Sequence, residues 1–283
     1  PSSDYVYSEP YGKILIISPW NYPFQLAILP TMSAVAAGNT VVLKPSEHAP
    51  HTSKLIKDII EKVFEKSHVL VIEGAAETAS KLLEYRWDYI FFTGSVKIGK
   101  IVAAAAAKTL TPITLELGGK NPCIIDDTID LTLTARRIVW GKFVNAGQTC
   151  IAPDFLIVKN NIKDKLIAEL LSEIKRAYGE NPENSEDYPR IINKTNLSRL
   201  SNLIEGTNIV YGGEYNIDTC YFSPTIIDEP KIESPLMAEE IFGPILPVIS
   251  YDNENEIEKL ILKYEKPLAL YVFSTNNKFS EKI

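Results

Sequence analysis

The apolar positions along the chain fall into two alternating rhythms. Unbroken aliphatic or aromatic runs at Lys13–Ile17 (KILII), Thr40–Leu43, Val69–Ile72 and Tyr89–Phe92 read as short buried strands. Between them the apolar positions recur at helical spacing. Phe24–Ala37 stops at Gly38, Thr52–Phe64 carries Leu55, Ile56, Ile59, Ile60 and Val63, and Thr78–Leu83 and the Ala-rich Lys97–Leu110 follow. Strand and helix in strict alternation predict an α/β fold, a doubly wound and mostly parallel sheet with helices on both faces. Thr111–Leu117 runs as a further strand into Gly118-Gly119, where the chain is free to change direction and a domain boundary is expected. Beyond it the alternation resumes as a second α/β domain. Pro122–Ile125 and Phe155–Val158 read as strands, Leu131–Asn145 and Ile162–Tyr178 as helices. An acidic loop, Glu180–Pro189, leads to a helix at Lys194–Glu205 and strands at Tyr221–Ile227, Ile245–Ile249 and Leu268–Phe273. Asn276–Ile283 begins another helix, capped by Asn276 or Asn277. The first residue is Pro rather than Met and the chain stops inside that last helix, so a piece of a longer protein is expected.

Composition narrows the class. The 283 residues are 45% hydrophobic and 23% charged, enough to fill two cores, which excludes disorder for the bulk of the chain. Lys+Arg number 29 against Asp+Glu 36, a net charge of -7 with no basic block, which argues against a nucleic-acid groove. No apolar run approaches the roughly 20 residues of a membrane span, and no charged-then-apolar leader opens the chain. Three cysteines, Cys123, Cys150 and Cys220, cannot pair evenly, which points to a reducing compartment, the cytoplasm. His48, His51 and His68 form no zinc-like cluster with cysteine, so no metal is expected.

Four segments offer chemistry. Cys150 follows Asn145-Ala146-Gly147-Gln148-Thr149 at a helix end, in a loop without bulky packing residues. A thiolate there is a strong nucleophile if oriented N–H groups meet its charge; the alternative is a small buried hydrophobe, the reading that suits Cys123 and Cys220 better. The histidines lie far from Cys150 in sequence and suit solvated faces, so a working Cys150 needs another base. Glu116, between Leu115 and Leu117, is a candidate: a carboxylate half-buried between leucines is expected to have a raised pKa, whereas plain strand alternation would turn it to water. Asn21, in Ser18-Pro19-Trp20-Asn21-Tyr22-Pro23, carries an amide donor on a proline-stiffened loop suited to an oxyanion, or it sits in an ordinary turn. Thr93-Gly94-Ser95 opens the helix that holds Gly99, a strand–turn–helix arrangement whose N–H groups can meet phosphate. It matches neither the dinucleotide fingerprint nor the P-loop, since Ile101 stands where the P-loop needs Ser or Thr. Lys44-Pro45-Ser46-Glu47 ends another strand with a cation and a carboxylate.

Taken together, these segments resemble the aldehyde dehydrogenase superfamily, and within it the class 3, fatty-aldehyde-type branch. The matching stretches are PWNYPF (Pro19–Phe24), GNTVVLKPSE (Gly38–Glu47), FTGSVKIGK (Phe92–Lys100), TLELGGKNP (Thr114–Pro122), GQTC (Gly147–Cys150) and EEIFGP (Glu239–Pro244), in register from about Tyr7 to the end. The resemblance implies a dinucleotide-binding, Rossmann-like domain at 11–117, a catalytic domain at 118–283 that lacks its C-terminal part, and residues 1–10 as part of an oligomerisation strand. It implies NAD or NADP as cofactor, an aldehyde as substrate and a homodimer for the full-length parent. Cys150 matches the nucleophile, Glu116 the general base, and Asn21 with the Cys150 N–H the oxyanion hole. Lys44 matches the adenine-ribose ligand with Glu47 beside it, Thr93, Gly94, Ser95 and Gly99 the turn near the pyrophosphate, Glu240 the nicotinamide-ribose ligand and Phe242 the packing against nicotinamide. Glu47 would repel a 2′-phosphate, yet relatives of this branch often accept both dinucleotides. Two other readings stand beside this one: an inactive fragment, and a thiol esterase or acyltransferase without redox chemistry. A coenzyme A-acylating variant is disfavoured by a base such as Glu116, which selects water as the acceptor.

Overall fold

The computed structural model describes residues 2–283. The chain divides into two compact units between Leu117 and Gly118. In the first, strands β1 (Lys13–Ile17), β2 (Thr40–Lys44), β3 (Val69–Val71), β4 (Tyr89–Thr93) and β5 (Ile113–Glu116) alternate with helices α1 (Gln25–Ala36), α2 (Pro50–Val63), α3 (Ala76–Leu82) and α4 (Val96–Ala107). The sheet order is β3-β2-β1-β4-β5, with every pair parallel. Both faces are covered, which is why the strands read as continuous aliphatic runs. Ile14 and Ile16 of β1 join Val41, Leu43, Ile56 and Ile60 on the α1/α2 face, while Leu15 and Ile17 meet Leu82, Val102 and Ala106 on the α3/α4 face. Each such side chain removed from water contributes about 1.5–3 kcal/mol.

The second unit holds β6 (Pro122–Ile125), α5 (Leu131–Phe143), β7 (Phe155–Lys159), α6 (Lys163–Tyr178), α7 (Lys194–Leu203), β8 (Ile209–Tyr211), β9 (Tyr215–Asn216), β10 (Tyr221–Phe222), β11 (Thr225–Asp228), α8 (Pro235–Ala238), β12 (Ile245–Tyr251), α9 (Glu254–Ile261), β13 (Tyr271–Phe273) and α10 (Asn277–Lys282). Its main sheet runs β13-β6-β7-β12-β11-β8, parallel except for β8, and β9 and β10 form a separate hairpin pair. Alternate residues of β6 and β7 again feed two cores, Cys123, Ile125, Leu156 and Val158 on one face and Ile124, Phe155 and Ile157 on the other.

Several boundaries differ from those expected. The helix placed at Leu131–Asn145 ends at Phe143, because Asn145, Ala146 and Gly147 all take left-handed backbone and turn the chain out of the helix. The strand placed at Tyr221–Ile227 is broken into β10 and β11, which lie in different sheets. Ser2–Pro10 carry no strand, Val6 is 99% exposed, and Pro1 lies outside the described residues. Asn276 caps α10, its side-chain oxygen accepting from the N–H groups of Lys278 and Phe279. No helix among the described residues is long and apolar enough to cross a membrane, and no group of three or more potential ligand side chains is placed to hold a metal ion.

Candidate active site

The parallel strands of the first unit end along one edge of their sheet, and the chain reverses its direction of progress between β1 and β4. The crevice at such a reversal is where doubly wound sheets take ligands. Adjacent strands deliver polar residues to that edge. Lys44 closes β2 beside Ile17, and the Ser18 N–H donates to the Lys44 carbonyl at 3.1 Å. Asn21 follows in the half-buried bend after β1. On the other side Thr93 closes β4 opposite Glu116 of β5, and the Gly94 N–H donates to the Glu116 carbonyl at 3.0 Å. Ser95 caps α4 by accepting from the Ile98 N–H, and Gly99, buried in the first turns of α4, lets Leu117 close against it. Asn21, Lys44, Glu47, Thr93, Gly94, Ser95, Gly99 and Glu116 thus gather on one edge.

Charges on this edge are arranged rather than scattered. Lys44 is 3% exposed, and its Nζ donates to Glu47 Oε2 at 2.6 Å. Burial alone would raise Glu47; the hydrogen bond and charge of Lys44 outweigh it and hold the carboxyl below its ordinary value. The Ser18 hydroxyl is buried with no hydrogen-bond partner among the described residues, an orphan at the very edge where ligands bind. Of the two readings of Glu116, strand alternation toward water holds and the half-buried one does not: Glu116 is exposed at the end of the outermost strand of its sheet.

The second unit builds its own cluster around Cys150. The turn before it is strained by design of the chain: Asn145 has φ 56°, Ala146 φ 51° and Gly147 φ 72°. Gly147 is obligatory, since a Cβ there would run into the Gly243 carbonyl of the Glu239–Pro244 segment. Gln148 clamps the turn, donating to the carbonyls of Asn145 (3.0 Å) and Arg190 (3.1 Å) and accepting from the Ile192 N–H (3.0 Å). Asn121 donates to the carbonyls of Cys150 (2.8 Å) and Ala152 (3.0 Å) and accepts from the Ala269 N–H (2.9 Å). These bonds fix the backbone on both sides of a half-buried cysteine. Cys123, by contrast, is fully buried in β6, and burial pushes its thiol far above the ordinary range, as befits a packing residue.

The segment facing that turn is held by buried charges. Lys120 Nζ donates to Asp154 Oδ2 at 2.5 Å and to the carbonyls of Leu236 (3.0 Å) and Glu239 (3.1 Å), while Asp154 Oδ1 accepts from the Ile241 N–H at 2.8 Å. Arg199 donates to the Ile241 carbonyl at 2.6 Å. Between these anchors stand Glu240 and Phe242, the latter at φ 47°. Glu240 lies over Gly118, where any side chain would collide with its carboxyl, and accepts from the Gly119 N–H. Burial, reinforced by Asp154, pushes Glu240 up to about 7, with the Gly119 N–H, Lys142 and Arg199 pulling the other way.

Sequence reading singled out Cys150, Glu240 and Phe242 but missed what holds them: Lys120, Asn121, Lys142, Gln148, Asp154 and Arg199. A signal existed for Lys142. It falls on the stripe Ala135, Ile138, Val139, Phe143 that α5 buries, so a lysine occupies a core position.

Known proteins resemble the chain along nearly its whole length. Residues 2–283 match the model of the aldehyde dehydrogenase family. Mouse "Aldehyde dehydrogenase, dimeric NADP-preferring" is 46% identical over 279 residues, covering 99% of this chain and 62% of the relative. The 4,4'-diaponeurosporen-aldehyde dehydrogenase of Staphylococcus aureus is 44% identical over 285 residues, covering all of this chain and again 62% of the relative. Rat aldehyde dehydrogenase family 3 member A2 is 46% identical, in keeping with the class 3 branch. The substrate-bound structure of Staphylococcus aureus AldH superposes with a TM-score of 0.94 at 44% identity, covering 97% of this chain and 60% of that one. The NAD+ complex of the Mycobacterium tuberculosis aldehyde dehydrogenase gives 0.88 at 29% identity, covering 97% and 59%. The chain thus spans about three fifths of these relatives' length. The family model covers nearly the whole chain and relatives up to 46% identical match it along that length, so the chain belongs to the aldehyde dehydrogenase family.

Proposed function

We propose that this chain is the central part of an NAD(P)-dependent dehydrogenase that oxidises an aldehyde to a carboxylic acid through a covalent intermediate on Cys150. The observation that carries the reading is a half-buried cysteine just after a strained turn, its backbone fixed on both sides by Gln148 and Asn121. In this mechanism the Cys150 thiolate adds to the aldehyde carbon. The oxyanion so formed is met by the Cys150 N–H and the Asn21 amide, each donor worth about 3 kcal/mol in the transition state. Addition makes the carbon tetrahedral, and loss of hydride then leaves a thioester on Sγ. Glu116 takes a proton from water as the water adds to that thioester, releasing the acid and restoring the thiolate.

The residues of the first unit fit a dinucleotide: a parallel sheet with its order reversed at the polar edge, the orphaned Ser18 hydroxyl, and a capped helix opening after Gly94. Lys44 and Glu47 would hold the adenine ribose, Thr93, Gly94, Ser95 and Gly99 the pyrophosphate turn, Glu240 the nicotinamide ribose, and Phe242 would pack on the ring. When bound, the dinucleotide supplies the hydride acceptor. On this reading residues 11–117 are the dinucleotide-binding domain and 118–283 the catalytic domain. The name of the Staphylococcus relative and the fatty-aldehyde branch support an apolar aldehyde as substrate. The mouse relative is described as dimeric, which supports a homodimer of the full-length protein. Three cysteines, all thiols, support a reducing compartment such as the cytoplasm.

The test is aldehyde-dependent reduction of NAD+ or NADP+ by the full chain. Cys150→Ala is expected to lower it by at least about 1,000-fold while dinucleotide binding persists. Normal turnover by that variant would overturn the assignment of the nucleophile, and ester or thioester turnover without dinucleotide binding would point to non-redox acyl transfer.

A further inference from the structure

Lys142 has no part in the mechanism above, yet it is among the most deeply buried large side chains of the chain, at 1% exposure. It stands in the last turn of α5, on the stripe otherwise filled by Ala135, Ile138, Val139 and Phe143, immediately ahead of the turn that carries Cys150. An ammonium in such a place is costly unless something nearby needs its charge.

The surrounding charges identify what that is. Lys142 is within electrostatic reach of Asp154, Lys120 and Glu240. Asp154 is already satisfied by Lys120 and the Ile241 N–H, and Lys120 repels Lys142. Glu240 is different: among the described residues its carboxyl makes no ion pair, and it faces Lys142 and Arg199 as attracting charges, Asp154 as a repelling one, and the Gly119 N–H. Arg199 is shared, since it also answers Glu239 and Asp154 and donates to the Ile241 carbonyl. Among the described residues, Lys142 is thus a buried cation with no ion pair, and Glu240 a partly buried carboxylate with a backbone donor but no ion pair, so the two are of opposite sign and each lacks a countercharge in direct contact. The backbone supports the pairing, because the turn after Lys142 packs on the segment after Glu240 through Gly147 and the Gly243 carbonyl, with no room for a side chain.

We propose that Lys142 is a positioning residue for cofactor binding, its buried ammonium keeping Glu240 a carboxylate over Gly118 so that Glu240 accepts hydrogen bonds from the ribose hydroxyls. This role rests on the proposed function, but it concerns the chain's own residues and is separable from it. Burial drives both groups toward neutrality, Lys142 down to about 8 and Glu240 up to about 7, so near neutral pH each keeps its charge partly because of the other. Without Lys142, Glu240 protonates at higher pH and loses acceptor capacity where the enzyme works.

The experiment uses Lys142→Met, which keeps length and removes charge, Lys142→Arg, which keeps charge, and Glu240→Gln, each in the full chain. Replacing a buried charge by an apolar side chain of like size is often tolerated, so the Met variant is expected to fold; Lys142→Gln is read the same way if it does not. Binding of NADH and NADPH is followed by the fluorescence of the bound dinucleotide. Lys142→Met is expected to raise Kd about tenfold near neutral pH and to shift the acid limb of the binding curve upward, with Arg restoring most of both. In the Glu240→Gln background the same substitution should change Kd by less than about twofold, because the group it acts through is gone. Equal losses in both backgrounds, or none in either, overturn the role. A wild-type chain that binds neither dinucleotide refutes the proposed function instead. In that case the Glu240 carboxyl, titrated by carbon NMR, still decides the coupling: an upward shift in Lys142→Met supports it and an unchanged titration overturns it.

Discussion

Glu240 makes its own protonation part of the fold's stability. Its carboxyl is raised from 4.5 to about 7 by burial first and Asp154 second, so between those values the folded chain binds a proton that the unfolded chain has released. The stabilising contribution is fully present below about pH 4.5 and is lost as pH rises through 7. Glu240→Gln cannot titrate and lacks this loss. Relative to wild type, the Gln variant should therefore gain up to about 3 kcal/mol between acidic and mildly alkaline pH, as measured by urea unfolding across that range. Parallel stability curves for the two chains would mean that the carboxyl is solvated after all. At this scale the sequence was legible where a residue type is rare in its setting, as with Cys150 after Gly147-Gln148-Thr149. It was illegible where a polar residue is paired across the fold. Nothing near Lys120 announces Asp154, 34 positions away, and although strand alternation allowed Glu116 to face water, LEL gave no sign that its strand would be outermost.

At the scale of elements, the decisive piece is the turn that ends α5. Helical spacing carried the expected helix through to Asn145, because Val144 and Asn145 continue a tolerable pattern and no proline or helix-final glycine stops it earlier. Close packing of the turn on Gly243 leaves no room for the helix to continue, and the backbone is left-handed at three successive residues instead. Gly147→Ala should therefore be costly for two reasons, a positive φ and a collision with backbone, together at least about 2–3 kcal/mol. Denaturant unfolding would register the loss, and the accompanying displacement of the Cys150 loop would slow or speed its alkylation by iodoacetamide. A variant as stable as wild type would show that the two segments can separate. Strands fared better: the inner residues of β1, β2, β4 and β6 are apolar with polar residues only at their ends, and parallel sheets covered on both faces demand that pattern. The break between β10 and β11 was legible at Ser223-Pro224, since a proline inside a β-rich run has no N–H for the ladder.

For the whole molecule, each unit owns its cores, two faces of one sheet apiece, and the division falls at the glycine pair that the sequence marks. The first unit also shows an apolar groove of about 400 Å³ between α1 and α2, lined by Phe24, Ile28, Met32, Val35, Val63 and Phe64. Met32 and Val63 are 61% and 65% exposed on its rim. A patch of this kind takes up hydrophobic dyes, and Met32→Lys with Val63→Lys should lower 8-anilinonaphthalene-1-sulfonate fluorescence by about half while leaving the helical circular dichroism unchanged. Undiminished dye binding would place the accessible apolar surface elsewhere. In the second unit, Asn121 has its own long-term consequence. One amide joins three distant stretches by giving both its hydrogens to carbonyls and taking a third bond from Ala269. Conversion to aspartate would set oxygen against oxygen at two of those bonds. The usual ageing route closes a succinimide ring through the nitrogen of the following residue, and that residue is Pro122, which has no hydrogen there to give up. The pin beneath the thiol is thus built from an amide protected against its own spontaneous decay.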